Sequence, residues 1–96
     1  MTEPEIGVAV ISRAGRDKGR AFLIVGRADE AHALLCDGET RRLAAPKKKK
    51  LRHLRVQPQR AEALAKALAN GTATDADVRK ALRELGYNTD FGKQEE

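Results

Sequence analysis

Tryptophan is absent from this 96-residue chain, and Phe22, Tyr87 and Phe91 are its only aromatic residues. A core must therefore be built from Val, Ile, Leu and Ala, which predicts a small core and modest stability. There is one cysteine, Cys36. No internal disulfide can form, so the sequence has no secreted framework and fits a reducing cytoplasm. No apolar run approaches the roughly 20 residues that span a bilayer, and Met1-Thr2-Glu3-Pro4-Glu5 is acidic where a signal peptide is positive. The expectation is a soluble cytoplasmic protein with no membrane partner, short enough for one compact domain with an appendage.

Catalytic and metal signatures are equally scarce. Ser12 has no nucleophile-elbow context, and Asp29-Glu30 and Asp37/Glu39 fall at expected turns, where water screens a carboxylate and leaves it unsuited to acid–base work. The glycines near residue 15 lack the Gly-Lys-Ser/Thr ending of a nucleotide-binding loop. His32 and Cys36 are four apart on an expected strand, about 13 Å, too far to share one zinc. Cys36 reads as a small core residue. No enzyme, cofactor, metal or small-molecule substrate is expected.

One further absence is local. Residues 41–61 hold nine Lys/Arg and no Asp/Glu, whereas residues 1–40 hold five against seven and residues 62–96 five against seven. The balances of −2, +9 and −2 give the overall +5, which understates a concentrated positive stretch. Such a stretch repels itself unless it faces an anion. A polyanion is the economical partner.

The pattern of the first half is β. Val8 and Val10 alternate with smaller residues, and Ala21-Phe22-Leu23-Ile24-Val25 is an unbroken apolar run, so two strands flank a loop carrying Arg13, Arg16, Lys18 and Arg20. Gly15 and Gly19 bracket that loop, where backbone N–H groups can approach a phosphate closely. His32–Cys36 reads as a third strand, Asp37-Gly38 as a two-residue hairpin turn, and Glu39–Leu43 as the fourth strand. Pro46 interrupts the ladder. Residues 50–56 form the expected fifth strand with Leu54 and Val56 pointing inward, while Leu51 has the wrong parity and needs a bulge or a place in the lead-in loop. Five short strands over about fifty residues suggest a small barrel.

Past Pro58 the composition turns helical. Ala61, Leu64, Ala65 and Leu68 recur at helical spacing before Asn70-Gly71, a stop signal. Thr74 reads as the N-cap of a second helix with Asp75 and Asp77 in its first turn and Val78, Ala81, Leu82 and Leu85 as its apolar stripe. The expected division is therefore a barrel over 1–57, a helical hairpin over 58–86 and a flexible tail over 87–96.

Few aromatics argue against base-stacking on single strands, and the C-terminal segment that holds the helices, residues 62–96, carries a net charge of −2, the wrong sign for a DNA groove. Folded or double-stranded RNA, read through phosphates and 2′-hydroxyls, fits better. The phrases Ser12-Arg13-Ala14-Gly15-Arg16-Asp17-Lys18-Gly19, Asp37-Gly38, Arg41-Arg42-Leu43 and Pro46-Lys47-Lys48-Lys49-Lys50-Leu51-Arg52-His53-Leu54 together resemble bacterial KOW-domain RNA-binding proteins, which are similar to certain archaeal and eukaryotic large-subunit ribosomal proteins. The resemblance covers roughly residues 5–57. It implies an SH3-like barrel and binding of ribosomal or other structured RNA, and with the helical pattern that follows, which it does not cover, the expected fold is mainly β, a five-stranded SH3-like barrel followed by two short α-helices. The RNA-contacting role carries onto Arg13, Arg16, Lys18, Arg20, Arg41, Arg42, Lys47, Lys48, Lys49, Lys50, Arg52, His53 and Arg55. Barrels of this kind also touch ribosomal proteins or RNA polymerase, so an adaptor of translation or transcription is the alternative.

Overall fold

The computed structural model describes residues 5–87. Among these, five antiparallel strands form one sheet, and two α-helices follow. The strands are β1 (Val8–Ser12), β2 (Ala21–Arg27), β3 (His32–Cys36), β4 (Lys47–Lys50) and β5 (Leu54–Arg60), in the spatial order β4-β3-β2-β1-β5. A single 3-10 turn, Leu51–His53, joins β4 to β5, the two edge strands. The helices are α1 (Glu62–Asn70) and α2 (Asp75–Glu84). The tail expected over 87–96 lies outside the described residues beyond Tyr87.

β1 and β2 are apolar on both faces because each face meets its own core. Val8, Val10, Phe22, Ile24, Ala33, Leu35 and Leu54 pack together on one side, with Leu51 against them. That side uses residues of the strands and the 3-10 turn, none from a helix. On the other side Ala9, Ala21, Leu23 and Cys36 pack against Ala61, Leu64, Val78 and Leu82. The register explains the split, since Val10 stands opposite Phe22 while Ala9 stands opposite Leu23, and opposite residues share a face. The helical segment is thus the cover of the sheet's second face. Burial of Cys36 pushes its thiol up to about 12, with the Asp75 and Asp37 charges adding to the effect, so it is an inert core group.

Three expectations for the strands change. Glu39–Leu43 is not a strand, and Asp37-Gly38 is not a two-residue turn. The buried Asp37 carboxylate accepts from the N–H groups of Glu39 and Arg41, from Thr40 Oγ1 and from Arg20, which winds the chain into an irregular segment. A side chain that satisfies backbone donors competes with a ladder, and here it wins. The fourth strand is instead the lysine run, with Leu35 opposite Lys47 and His32 opposite Lys50. Val56 is the second correction: it faces Val10 in register but is 37% exposed, because β5 is an edge strand. The third is the expected strand over 50–56: Lys50 ends β4, Leu51–His53 form the 3-10 turn, and β5 starts only at Leu54 and runs on through Pro58 to Arg60. Val10 pairs with Val56 and Val8 with Arg60, so β5 carries two extra residues there, and Pro58 lies within that bulge.

The helix ends follow their signals. Gly71 caps α1 in the left-handed conformation at φ 75°, a position where a Cβ would be strained. Thr74 caps α2: its hydroxyl accepts from Asp77 N–H, and the Asp77 carboxylate accepts from Thr74 N–H. Thr74→Ala removes one half of this reciprocal pair, and its expected cost is about 1 kcal/mol. Urea denaturation checks it: the midpoint falls while the slope is unchanged.

Candidate nucleic-acid interface

The basic residues come from three segments that the fold draws together. The first is the loop between β1 and β2, where Gly15 and Gly19 take φ of 79° and 88° and leave Arg13, Arg16 and Lys18 exposed. The second is β4, whose lysines alternate. Lys48 and Lys50 are exposed and Lys47 and Lys49 half-buried, as a period of two requires. The third is the 3-10 turn with exposed Arg52 and half-buried His53.

Side-chain and backbone hydrogen bonds knit these segments. Lys49 Nζ donates to the carbonyl of Ala14 at 2.8 Å, and the same carbonyl accepts from Ser12 Oγ at 3.0 Å. The glycine loop is thereby fixed against the lysine strand. Arg13 N–H donates to the His53 carbonyl at 2.8 Å, which fixes its base against the 3-10 turn. Arg41 Nη2 lies 3.5 Å from Asp17 Oδ2, so the loop is also held from the segment that precedes β4, although Arg41 Nε is buried without a partner.

His32, the four lysines and His53 line an open groove of about 380 Å³ along β4. No carboxylate lines it. His32 was not legible as part of the basic face, since only the register that sets it opposite Lys50 brings it there. Its ring is 2.8 Å from Asp29, and that hydrogen bond, with one from Ala31 N–H, holds the Asp29 carboxyl below its ordinary range.

The thirteen residues singled out from sequence therefore divide. Arg13, Arg16, Lys18, Lys47, Lys48, Lys50, Arg52 and His53 present donors around the groove or on the segments bonded to it. Lys49 is a strut between two of those segments, and Arg41 is engaged with Asp17 of the glycine loop. Arg20 is engaged elsewhere, with Nε 2.7 Å from buried Asp37 and Nη2 3.2 Å from Glu39. Arg42 is exposed on the irregular segment, and Arg55 is exposed opposite Ile11, on the sheet face that the helices cover. Neither borders the groove.

The remaining chemistry is sparse. Among the described residues no group of three or more His, Cys, Asp or Glu could hold a metal ion, and no helix is long and apolar enough to cross a membrane. The arrangement can do one thing well, which is to offer many cationic donors over a short distance to a chain of anions. No family model matches the chain, and no curated protein matches it in sequence.

Proposed function

We propose that this protein is a non-catalytic RNA-binding module that holds structured RNA, ribosomal RNA foremost, against the lysine groove and the glycine loop. The observation that carries the reading is the Lys49–Ala14 hydrogen bond, which makes two separate basic segments one surface. An RNA duplex places phosphates at regular intervals along such a surface, and lysine and arginine contact them as point charges and forks. The KOW-like reading draws support from one core cluster whose residues come from the strands and the 3-10 turn, which suits an SH3-like barrel, although the five-stranded sheet is open between β4 and β5. The cellular setting that follows is the cytoplasm, in association with ribosomes and translation.

Salt dependence is the first quantitative consequence. Neutralising about five phosphates gives a slope of log affinity on log salt near −4.5, a loss of roughly two to three decades between 50 and 200 mM. Anisotropy titrations of a labelled ribosomal RNA hairpin measure it, and a slope near zero would sink an electrostatic mode. Ultraviolet crosslinking in cells tests the target. Enrichment of one ribosomal RNA region supports the proposal, and absence of crosslinked RNA together with co-purification of protein that survives nuclease and high salt overturns it in favour of an adaptor.

A further inference from the structure

A second concavity adjoins the lysine groove and has the opposite character. It measures about 370 Å³, and its walls are Val25 and Leu34 of the sheet, Leu43 and Pro46 of the segment before β4, and Leu68 and Ala73 of the helical side. These residues are half-buried, so apolar surface faces water. The volume lies in the range of ligand pockets, roughly 300–1,000 Å³. Register ties this concavity to charge. Leu34 stands directly opposite Lys48, His32 stands opposite Lys50, and opposite residues of an antiparallel pair project to the same face. Pro46 lines the apolar concavity and Lys47, the next residue, lines the basic one. A polymer whose phosphates rest on Lys48 and Lys50 brings its adjoining unit over Leu34.

We infer that the apolar concavity receives one unpaired nucleobase of the RNA whose backbone lies on Lys48 and Lys50. The inference rests on the RNA-binding reading and adds to it a preference among RNAs. A nucleobase is flat, and its faces pack against apolar side chains once it leaves the stack. Its own phosphate supplies the charge that the neighbouring lysines need. A base inside a continuous helix cannot enter, whereas a bulged one is already unstacked. An apolar protein side chain would also suit the walls. The lysines beside them, with no carboxylate lining either concavity, favour a ligand that carries an anion at every unit.

The test compares the full chain on two synthetic RNA hairpins that differ by one unpaired nucleotide in the stem. The bulged hairpin is expected to bind about tenfold tighter, the scale of covering two methylene groups. Two filling variants from opposite walls, Ala73→Phe and Val25→Phe, are expected to bring that ratio to about one while the salt slope stays that of the parent. Circular dichroism identifies which of the two is folded, and either suffices. Equal binding of the two hairpins by the parent, or a ratio that survives in a folded filling variant, overturns the inference and leaves RNA binding standing. Failure of the parent to bind either hairpin overturns the RNA-binding reading and this inference with it.

Discussion

Changing Lys47, Lys48 and Lys50 together to Glu is expected to weaken RNA binding at least about a hundredfold at 150 mM salt, with the fold intact. Each lysine that neutralises a phosphate contributes close to a factor of five at that salt through counterion release, and three such losses multiply to the stated figure before any repulsion is added. Lys49 is left in place for a physical reason: its ammonium is bonded to the Ala14 carbonyl, so reversal there would displace the glycine loop as well as remove a charge. The altered side chains are exposed or half-buried on an edge strand and have no ion-pair partner among the described residues, so the core is untouched. Anisotropy with a structured RNA reads the loss, and thermal unfolding reads the control. An affinity within a few-fold of the parent would remove the lysine strand from the proposed interface.

The second large effect is on stability. Asp37→Ala is expected to cost about 2–4 kcal/mol, because it removes the buried carboxylate that accepts from Arg20 Nε, from Thr40 Oγ1 and from the amides of Glu39 and Arg41. For a domain of this size that is a fall in Tm of at least about 10 °C. The same group sets an acid limit. Burial works to raise the Asp37 carboxyl, but the N–H groups of Arg41 and Glu39, with Arg20 and Thr40, outweigh it and hold the group below the ordinary carboxylate range. A carboxyl depressed in the folded state stabilises it fully above the unfolded value, near 3.9, and the contribution is lost as pH falls through the folded value. Between pH 7 and about 4 the Asp37 contribution is therefore constant, and it declines below that. Asp37→Asn replaces one acceptor by a donor facing Arg20, so it starts less stable and lacks this component of the acid decline. Tm profiles of parent and variant that stay parallel down to pH 2 would refute the assignment.

How much of this was legible in the sequence depends on the range over which each signal acts. β1, β2 and β3 follow from local apolar patterning, and the Thr74 cap and the Gly71 stop follow from residues within one turn of the helix ends. The fourth strand did not follow. Asp37-Gly38 has the composition of a tight hairpin, yet the Asp37 carboxylate bonds four donors in space, and one of them, Arg20, is 17 positions away. Gly38 is pressed against α2 as well: a Cβ there would collide with the Asp75 carbonyl, and Arg79 Nη1 donates to the Gly38 carbonyl at 2.7 Å. A glycine chosen for close approach looks the same in sequence as one chosen for a turn.

The candidate site was legible as charge and not as geometry. Arg20 and Lys49 read as phosphate contacts like their neighbours, because nothing local reveals that one is bonded to a buried acid and the other to a backbone carbonyl. The helical segment was legible as two helices, while its position against Ala9, Ala21, Leu23 and Cys36 depends on pairs far apart along the chain.

The anchoring of the segment before β4 also has a consequence in time. Leu43 N–H donates to Asp75 and the Gly38 carbonyl accepts from Arg79, so the lead into the lysine strand is completed by residues that are translated later. At about 5–20 residues per second the interval from Leu43 to Arg79 is a few seconds of synthesis. During it the first three strands exist without the helices that cover one of their apolar faces, and the basic edge is not yet braced. A chain that stops short of α2 lacks Val78 and Leu82, half of the helical cover over Ala9, Ala21, Leu23 and Cys36, so the sheet's second face and the brace of the lysine strand are completed together and last.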